Sequence, residues 1–204
     1  MWGFMPHVYF FNILKGVYIN MLDSAEVRKL AREEIEKAFT ANIKVWKFKE
    51  DNGVTYSEAI LPEKKHVGDS GYDLYTCFDD VTIANAKAQG KKEPDPIILY
   101  PGKTMLIPTG ICQEIPDGFE LQVRPRSGCS KDGCVAILGT IDETFSKHLK
   151  VIACNTSNDP YEIHHHDRLA QVVVAKVCPS TITWGEGEGP EDKNRGDGFG
   201  SSGK

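Results

Sequence analysis

PIILYPGKTMLIPTGI at 96–111 decides the fold class, together with FELQVRP at 119–125, CVAILGTID at 134–142, LKVIACNTS at 149–157 and RLAQVVVAKV at 168–177. These runs are short and rich in Val, Ile, Thr and aromatic residues. Each gives way to Gly, Pro, Asn or Asp, the residues that reverse a chain. Upstream, IKVWKF at 43–48 and SGYDLYT at 70–76 have the same texture. Strands of this length with turn signals about every ten residues predict an all-β sandwich or barrel. The predicted domain covers residues 41–184. Within it, NAKAQGKKEPDP at 85–96 reads as a polar loop. There are no internal repeats.

Outward from this domain the composition changes. DSAEVRKLAREEIEKAF at 23–39 predicts a helix: Asp23 or Ser24 can cap it, and Val27, Leu30, Ala31 and Ile35, with Ala38 or Phe39, fall on one stripe. Residues 1–40 are read as an N-terminal extension carrying that helix. MWGFMPHVYFFNILKGVYINML at 1–22 is apolar, but Pro6, His7, Asn12, Lys15 and Asn20 interrupt it. It falls short of a membrane span and lacks a signal-peptide pattern, so a poorly packed extension or a start at Met21 is expected, and no membrane partner. GEGEGPEDKNRGDGFGSSGK at 185–204 has almost no core-forming residues and is expected to be a flexible arm.

The 204 residues suffice for one domain with a real core, and the net charge of −5 leaves no global basic surface to gather nucleic acid. A polyanionic ligand would need local arginines and a divalent cation. Six cysteines without a C-x-x-C pair read as reduced thiols, which points to the cytoplasm. Cys129 and Cys134 lie close in sequence, and His164, His165 and His166 are consecutive. Three adjacent histidines in a polar turn cannot all face one ion, so no zinc site is expected.

Five segments carry candidate chemistry: GYDL at 71–74, RPRSG at 124–128, GTIDETF at 139–145, DRLAQ at 167–171 and RGDGFGSSG at 195–203. Arg126 and Arg195 are forked donors suited to phosphate oxygens. Ser127 and the N–H groups around Gly128 form a candidate anion cradle. The tail couples Arg195 and Phe199 to a Gly-Ser-rich run able to order itself over a nucleotide. Asp142, next to such a turn, can hold a water or a metal. Taken singly, each has a plainer reading. Asp73 and Asp142 suit turn caps, Phe145 a core ring, Arg168 a structural ion pair, and Gln171 a strand edge. Only their joint presence in one order argues otherwise.

That order closely resembles the trimeric dUTPase family over residues 43–204. The resemblance implies a jelly-roll-like β-barrel, a homotrimer with sites between subunits, and magnesium-dependent hydrolysis of dUTP to dUMP and pyrophosphate. Asp142 would be the general base. Arg126, Ser127, Gly128 and Gln171 would bind phosphates, and Asp73 would hold the water shell of Mg2+. Phe145 would stack on the deoxyribose. A hairpin from Ala136 through Thr140 and Ile141 to Lys150 would read the uracil edge. Arg195, Phe199, Gly200 and Ser201 would close over the nucleotide.

The chain also departs from the family. Phe145 replaces a usual Tyr, Thr144 a common acidic residue, and Ala136 a common Asn. Residues 146–148 differ in the hairpin tip, and Arg195 and Phe199 are one residue closer than usual. These features suggest a divergent, viral or phage branch. Two rivals share part of the pattern. Against a dCTP deaminase, which resembles the family in fold, stand the Gly-rich closing tail after Arg195 and the Asp142–Phe145 spacing. A nucleotide-sensing protein with a regulatory partner would use the helix at 23–39 and the loop at 85–96, both surplus to catalysis.

Overall fold

The computed structural model describes residues 25–185 and Gly187. It is mostly β, with eleven strands and three helices among the described residues. Helix α1 spans Ala25–Phe39, and its Leu30 is 56% exposed, so among the described residues that position of the apolar stripe is left largely uncovered. Asp23 and Ser24, the candidate caps, lie outside the described residues, as do residues 1–22 and Arg195, Phe199, Gly200 and Ser201.

The strands are β1 (Lys44–Lys47), β2 (Gly71–Tyr75), β3 (Ile97–Leu99), β4 (Thr104–Pro108), β5 (Ile111–Glu114), β6 (Phe119–Pro125), β7 (Cys134–Ala136), β8 (Gly139–Ile141), β9 (Lys150–Asn155), β10 (Tyr161–Ile163) and β11 (Arg168–Lys176). Every ladder is antiparallel. They form a four-stranded sheet in the order β2-β11-β6-β8, a three-stranded sheet β4-β9-β7, and the pairs β1-β5 and β10-β3.

Period-two alternation sets which side chains enter the core. In β9 Val151, Ala153 and Asn155 are buried while Lys150 and Ile152 point outward. Leu74, Leu99, Ile107, Leu149, Val151, Ile163 and Leu169 make the centre, each at most 2% exposed. Burying a side chain of this size contributes roughly 1.5–3 kcal/mol. Strand β11 is the keystone of the larger sheet because it pairs with β2 on one side and β6 on the other. A register shift between Arg168 and Ala170 marks its start.

Two sequence expectations need correction. The polar loop at 85–96 begins inside a helix: α2 covers Asp80–Ala88, capped by Asp79, whose Oδ1 accepts from the Thr82 amide at 2.9 Å. Ile83 and Ala86 anchor its inner face. The segment from Ala136 to Lys150 is not a simple hairpin. Strand β7 pairs with β9 in the smaller sheet, whereas β8 crosses over to pair with β6 in the larger one. Residues 136–150 therefore bridge the two sheets.

Candidate functional site

Asp73 sits in mid-β2, directly opposite Gln171 on β11, which is opposite Arg124 on β6. Paired residues of an antiparallel ladder project to the same face. One polar row therefore crosses the sheet toward the end of β6, where the chain turns into the short helix α3 (Ser127–Lys131) with Arg126 at its N-cap.

Arg126 turns back across this row. Its Nε lies 2.8 Å from Asp73 Oδ1, and its NH1 donates to the Arg168 carbonyl at 2.7 Å. Arg168 NH1 reaches the other Asp73 oxygen at 3.3 Å. The Asp73 carboxylate is thus held between two guanidiniums, with only 15% of its side chain exposed. Gln171 crosses above Gly71, where a Cβ would meet its Oε1 at 2.0 Å, and donates from Nε2 to the Pro125 carbonyl at 3.0 Å. A side chain at position 71 would occupy the space Gln171 uses.

Asp73, Arg126, Ser127, Gly128 and Gln171 line one open cavity of about 270 Å³. Ser127 and Gly128 are exposed, and a Cβ at Gly128 would meet nothing within 4 Å. Lys65, His66, Asp69 and Ser70 complete the lining and were not anticipated. They belong to KKHVGDS at 64–70, just ahead of GYDL. That cluster of cations and turn residues was the available signal. Asp69 Oδ2 accepts from the His66 amide at 2.8 Å, and Gly68 has φ +95°, so a tight turn presents the group.

A second cavity, of about 290 Å³, collects Thr140, Ile141, Phe145 and Lys150, with Val123 and His148 among its other walls. Phe145 is 38% exposed. Its loop is tied down where Gln113 Nε2 donates to the Phe145 carbonyl at 2.9 Å, and where Glu143 Oε2 accepts from the Gly118 amide at 2.8 Å. Ala136 is 2% exposed, its side chain in the core, so any role of this residue at the surface falls to its backbone. Asp142 is exposed at the end of β8, and its carbonyl accepts from the Phe145 amide at 3.0 Å. It lines neither cavity, and the two cavities share no residue. A third cavity of about 320 Å³ is walled by Val45, Leu74, Leu149, Val172 and similar residues. It offers no carboxylate, imidazole or cation to carry chemistry.

Fold and site together define an antiparallel β protein with an open polar cavity at a strand end, where two guanidiniums flank a carboxylate. The dUTPase family model matches residues 92–203. A deoxyuridine 5'-triphosphate nucleotidohydrolase from Clostridioides difficile is 36% identical over 166 residues, covering 79% of this chain and 98% of that protein. Among solved structures, a Staphylococcus bacteriophage 80alpha dUTPase variant with dUpNHpp matches with TM-score 0.59 at 21% identity, covering 80% of this chain and 99% of that one. A dUTPase variant from phage phi11 of S. aureus, described with a structural Mg(II) ion, matches with TM-score 0.55 at 20% identity over 72% and 98%. The chain belongs to the dUTPase family. No helix among the described residues is long and apolar enough to cross a membrane.

Proposed function

We propose that this chain hydrolyses dUTP to dUMP and pyrophosphate as a homotrimer, each active site being shared between subunits. One observation carries the reading. The phosphate-side residues Arg126, Ser127, Gly128 and Gln171 line one cavity, while the base- and sugar-side residues Thr140, Ile141, Phe145 and Lys150 line another. Juxtaposing the first cavity of one subunit with the second cavity of a neighbour yields a complete nucleotide site. In the same reading the sheets wrap into a jelly-roll-like barrel over 41–184. The arm at 185–204 of the third subunit closes the site through Arg195, Phe199, Gly200 and Ser201.

The chemistry follows from the side chains. Asp142 accepts a proton from water, whose oxygen bonds to the α-phosphorus as the bond to the bridging oxygen breaks and pyrophosphate departs. A positioned base contributes about 10²–10⁴-fold. Arg126 has Nε and NH1 committed to Asp73 and Arg168, leaving its remaining nitrogen for a phosphate oxygen. Ser127 donates toward the departing oxygen, and Gln171 reaches a neighbouring phosphate. Asp73 fits the family's metal: its two oxygens offer about four acceptor sites, and two guanidinium contacts leave capacity for magnesium-bound water. Mg2+ held there would neutralise charge on the triphosphate.

Selectivity falls to the backbone between Ala136 and Lys150. Groups matched to the uracil edge are left unpaired against cytosine, a mismatch of the kind that gives roughly 10⁴–10⁵-fold rejection. Phe145 packed on the sugar leaves no room for a 2′-hydroxyl. Such an enzyme limits uracil entering DNA and supplies dUMP for thymidylate. Pyrophosphate release from dUTP, dCTP, dTTP and UTP, with and without magnesium, tests the reading. Release confined to dUTP and dependent on magnesium is expected. Ammonia released from dCTP would instead identify a deaminase. A monomer in light scattering would end the shared-site model.

A further inference from the structure

The turn between β10 and β11 brings together side chains that the reaction above does not use. His165 and His166 both face Cys77, which follows β2, and one ring nitrogen of each lies with Cys77 Sγ inside a 4.8 Å triangle. His164 turns away toward Glu162, 3.4 Å from it. Adjacent side chains of an extended segment point to opposite sides. His166 escapes that rule because its φ is 67°, the one positive φ among described non-glycine residues. Such a conformation is strained and persists where the surroundings enforce it. Here they do: Thr76 donates its amide to the Asp167 carbonyl at 2.8 Å and accepts the His166 amide at 3.0 Å. The two imidazole centroids end 3.7 Å apart.

The hydrogen bonds fix which nitrogens are open. His166 Nε2 lies 2.9 Å from the Glu58 carbonyl, which can only accept, so Nε2 carries the proton and Nδ1 a lone pair. His165 Nδ1 accepts the Phe78 amide at 3.0 Å, so its proton sits on Nε2, 3.2 Å from the Glu58 carboxylate. Both rings therefore keep Nε2–H anchored on Glu58 and carry their lone pair on Nδ1, open at His166 and held by the Phe78 amide at His165. Carboxylate or carbonyl on the far nitrogen is the arrangement that orients metal-binding histidines.

We propose that Cys77, His165 and His166 form a binding site for a thiophilic divalent cation, zinc by ligand type, with Glu58 orienting both imidazoles. Tetrahedral zinc with one sulfur and two nitrogens sets ligand separations of about 3.3–3.6 Å, so the present triangle needs to contract by roughly 1 Å. Binding displaces the Cys77 thiol proton and exchanges the Phe78 amide bond at His165 for the metal. Water completes the fourth position. The ion would link the segment after β2 to the β10–β11 turn.

The test uses tag-free, full-length protein, reduced and dialysed against chelator. Cobalt(II) titration should give a thiolate-to-cobalt charge-transfer band that saturates at one ion per chain, and zinc should bleach it. Cys77→Ser should abolish the band, while Cys129→Ser should keep it. His166→Asn tolerates the left-handed backbone and should lose the site while circular dichroism stays native. Glu58→Gln should weaken cobalt about 10–100-fold. A folded wild-type protein that stays colourless, or a band surviving in both Cys77→Ser and His166→Asn, would overturn the proposal.

Discussion

Arg126 Nε meets Asp73 Oδ1 at 2.8 Å across 53 residues of sequence, and this contact holds the turn after β6 against β2. The same guanidinium bonds the Arg168 carbonyl, so three strands converge on one side chain. The phosphate role proposed for Arg126 needs a guanidinium of fixed direction, and a carboxylate and a carbonyl supply it.

Asp73→Asn keeps the shape but removes the charge facing two guanidiniums. Their side chains are 24% and 39% exposed, so solvent recovers part of the loss. A stability cost of about 1–3 kcal/mol is expected in urea unfolding. The magnesium dependence of pyrophosphate release should shift to higher concentrations at the same time. A variant with wild-type stability and magnesium response would remove Asp73 from both roles.

Gly71→Ala tests the close approach of Gln171. The added Cβ would lie 2.8 Å from Gln171 Cδ and 3.2 Å from its Cβ, so the side chain must leave its bond to Pro125. The severe contacts are with the flexible end of Gln171, and its Cβ needs to give by only a few tenths of an ångström, so the fold should survive with a Tm within roughly 5 °C of wild type. KM for dUTP should rise about tenfold, equivalent to roughly 1.4 kcal/mol. In a double-mutant cycle with Gln171→Ala the two losses should not add, because both act through one side chain.

Strands of both sheets could be read in the sequence as short Val-, Ile- and Ala-rich runs; β9 of the smaller sheet also alternates in burial, whereas β11, paired on both sides in the larger sheet, is a nearly continuous apolar run. Helix α2 could not be read that way: Val81, Thr82 and Ile83 are β-branched, and the deciding feature is a side-chain cap from Asp79. At the site, Arg126, Ser127, Gly128, Gln171 and Asp73 were found from short motifs and do share a cavity. Lys65 and His66 escaped because their turn has no motif, only charge. The pairing of His165 with His166 was hidden for a different reason. Sequence spacing assumes ordinary backbone, and a single positive φ reverses the side-chain direction.

Asp142→Asn addresses the chemistry separately from the fold. Asp142 is exposed, so its amide replacement should leave Tm unchanged. Turnover of dUTP should fall by at least about 100-fold while Kd for a non-hydrolysable analogue stays near wild type. Equal losses in binding and turnover would place the residue in recognition and not in proton transfer.

His148 makes stability depend on pH. Its ring is buried against Phe48 and Tyr56, and Nε2 accepts the Gly110 amide at 3.0 Å. The proton therefore sits on Nδ1, which has no hydrogen-bond partner and lies 3.9 Å from Glu50 Oε1. Burial first, then the Lys150 charge, pushes its pKa down from 6.5 to about 4, against a smaller opposing pull from Glu50. Between those values the unfolded chain binds a proton that the folded ring refuses. Stability is thus fully present above pH 6.5 and drains as the pH falls toward 4, by on the order of 3 kcal/mol in total. His165, lowered by its own burial, adds a slope of the same sign. His148→Gln removes only one of these, so urea unfolding across this range should show a pH slope smaller by roughly 1.4 kcal/mol per unit. An unchanged slope would mean that His148 takes up its proton without leaving the folded state, with Glu50 moving in to pair with it.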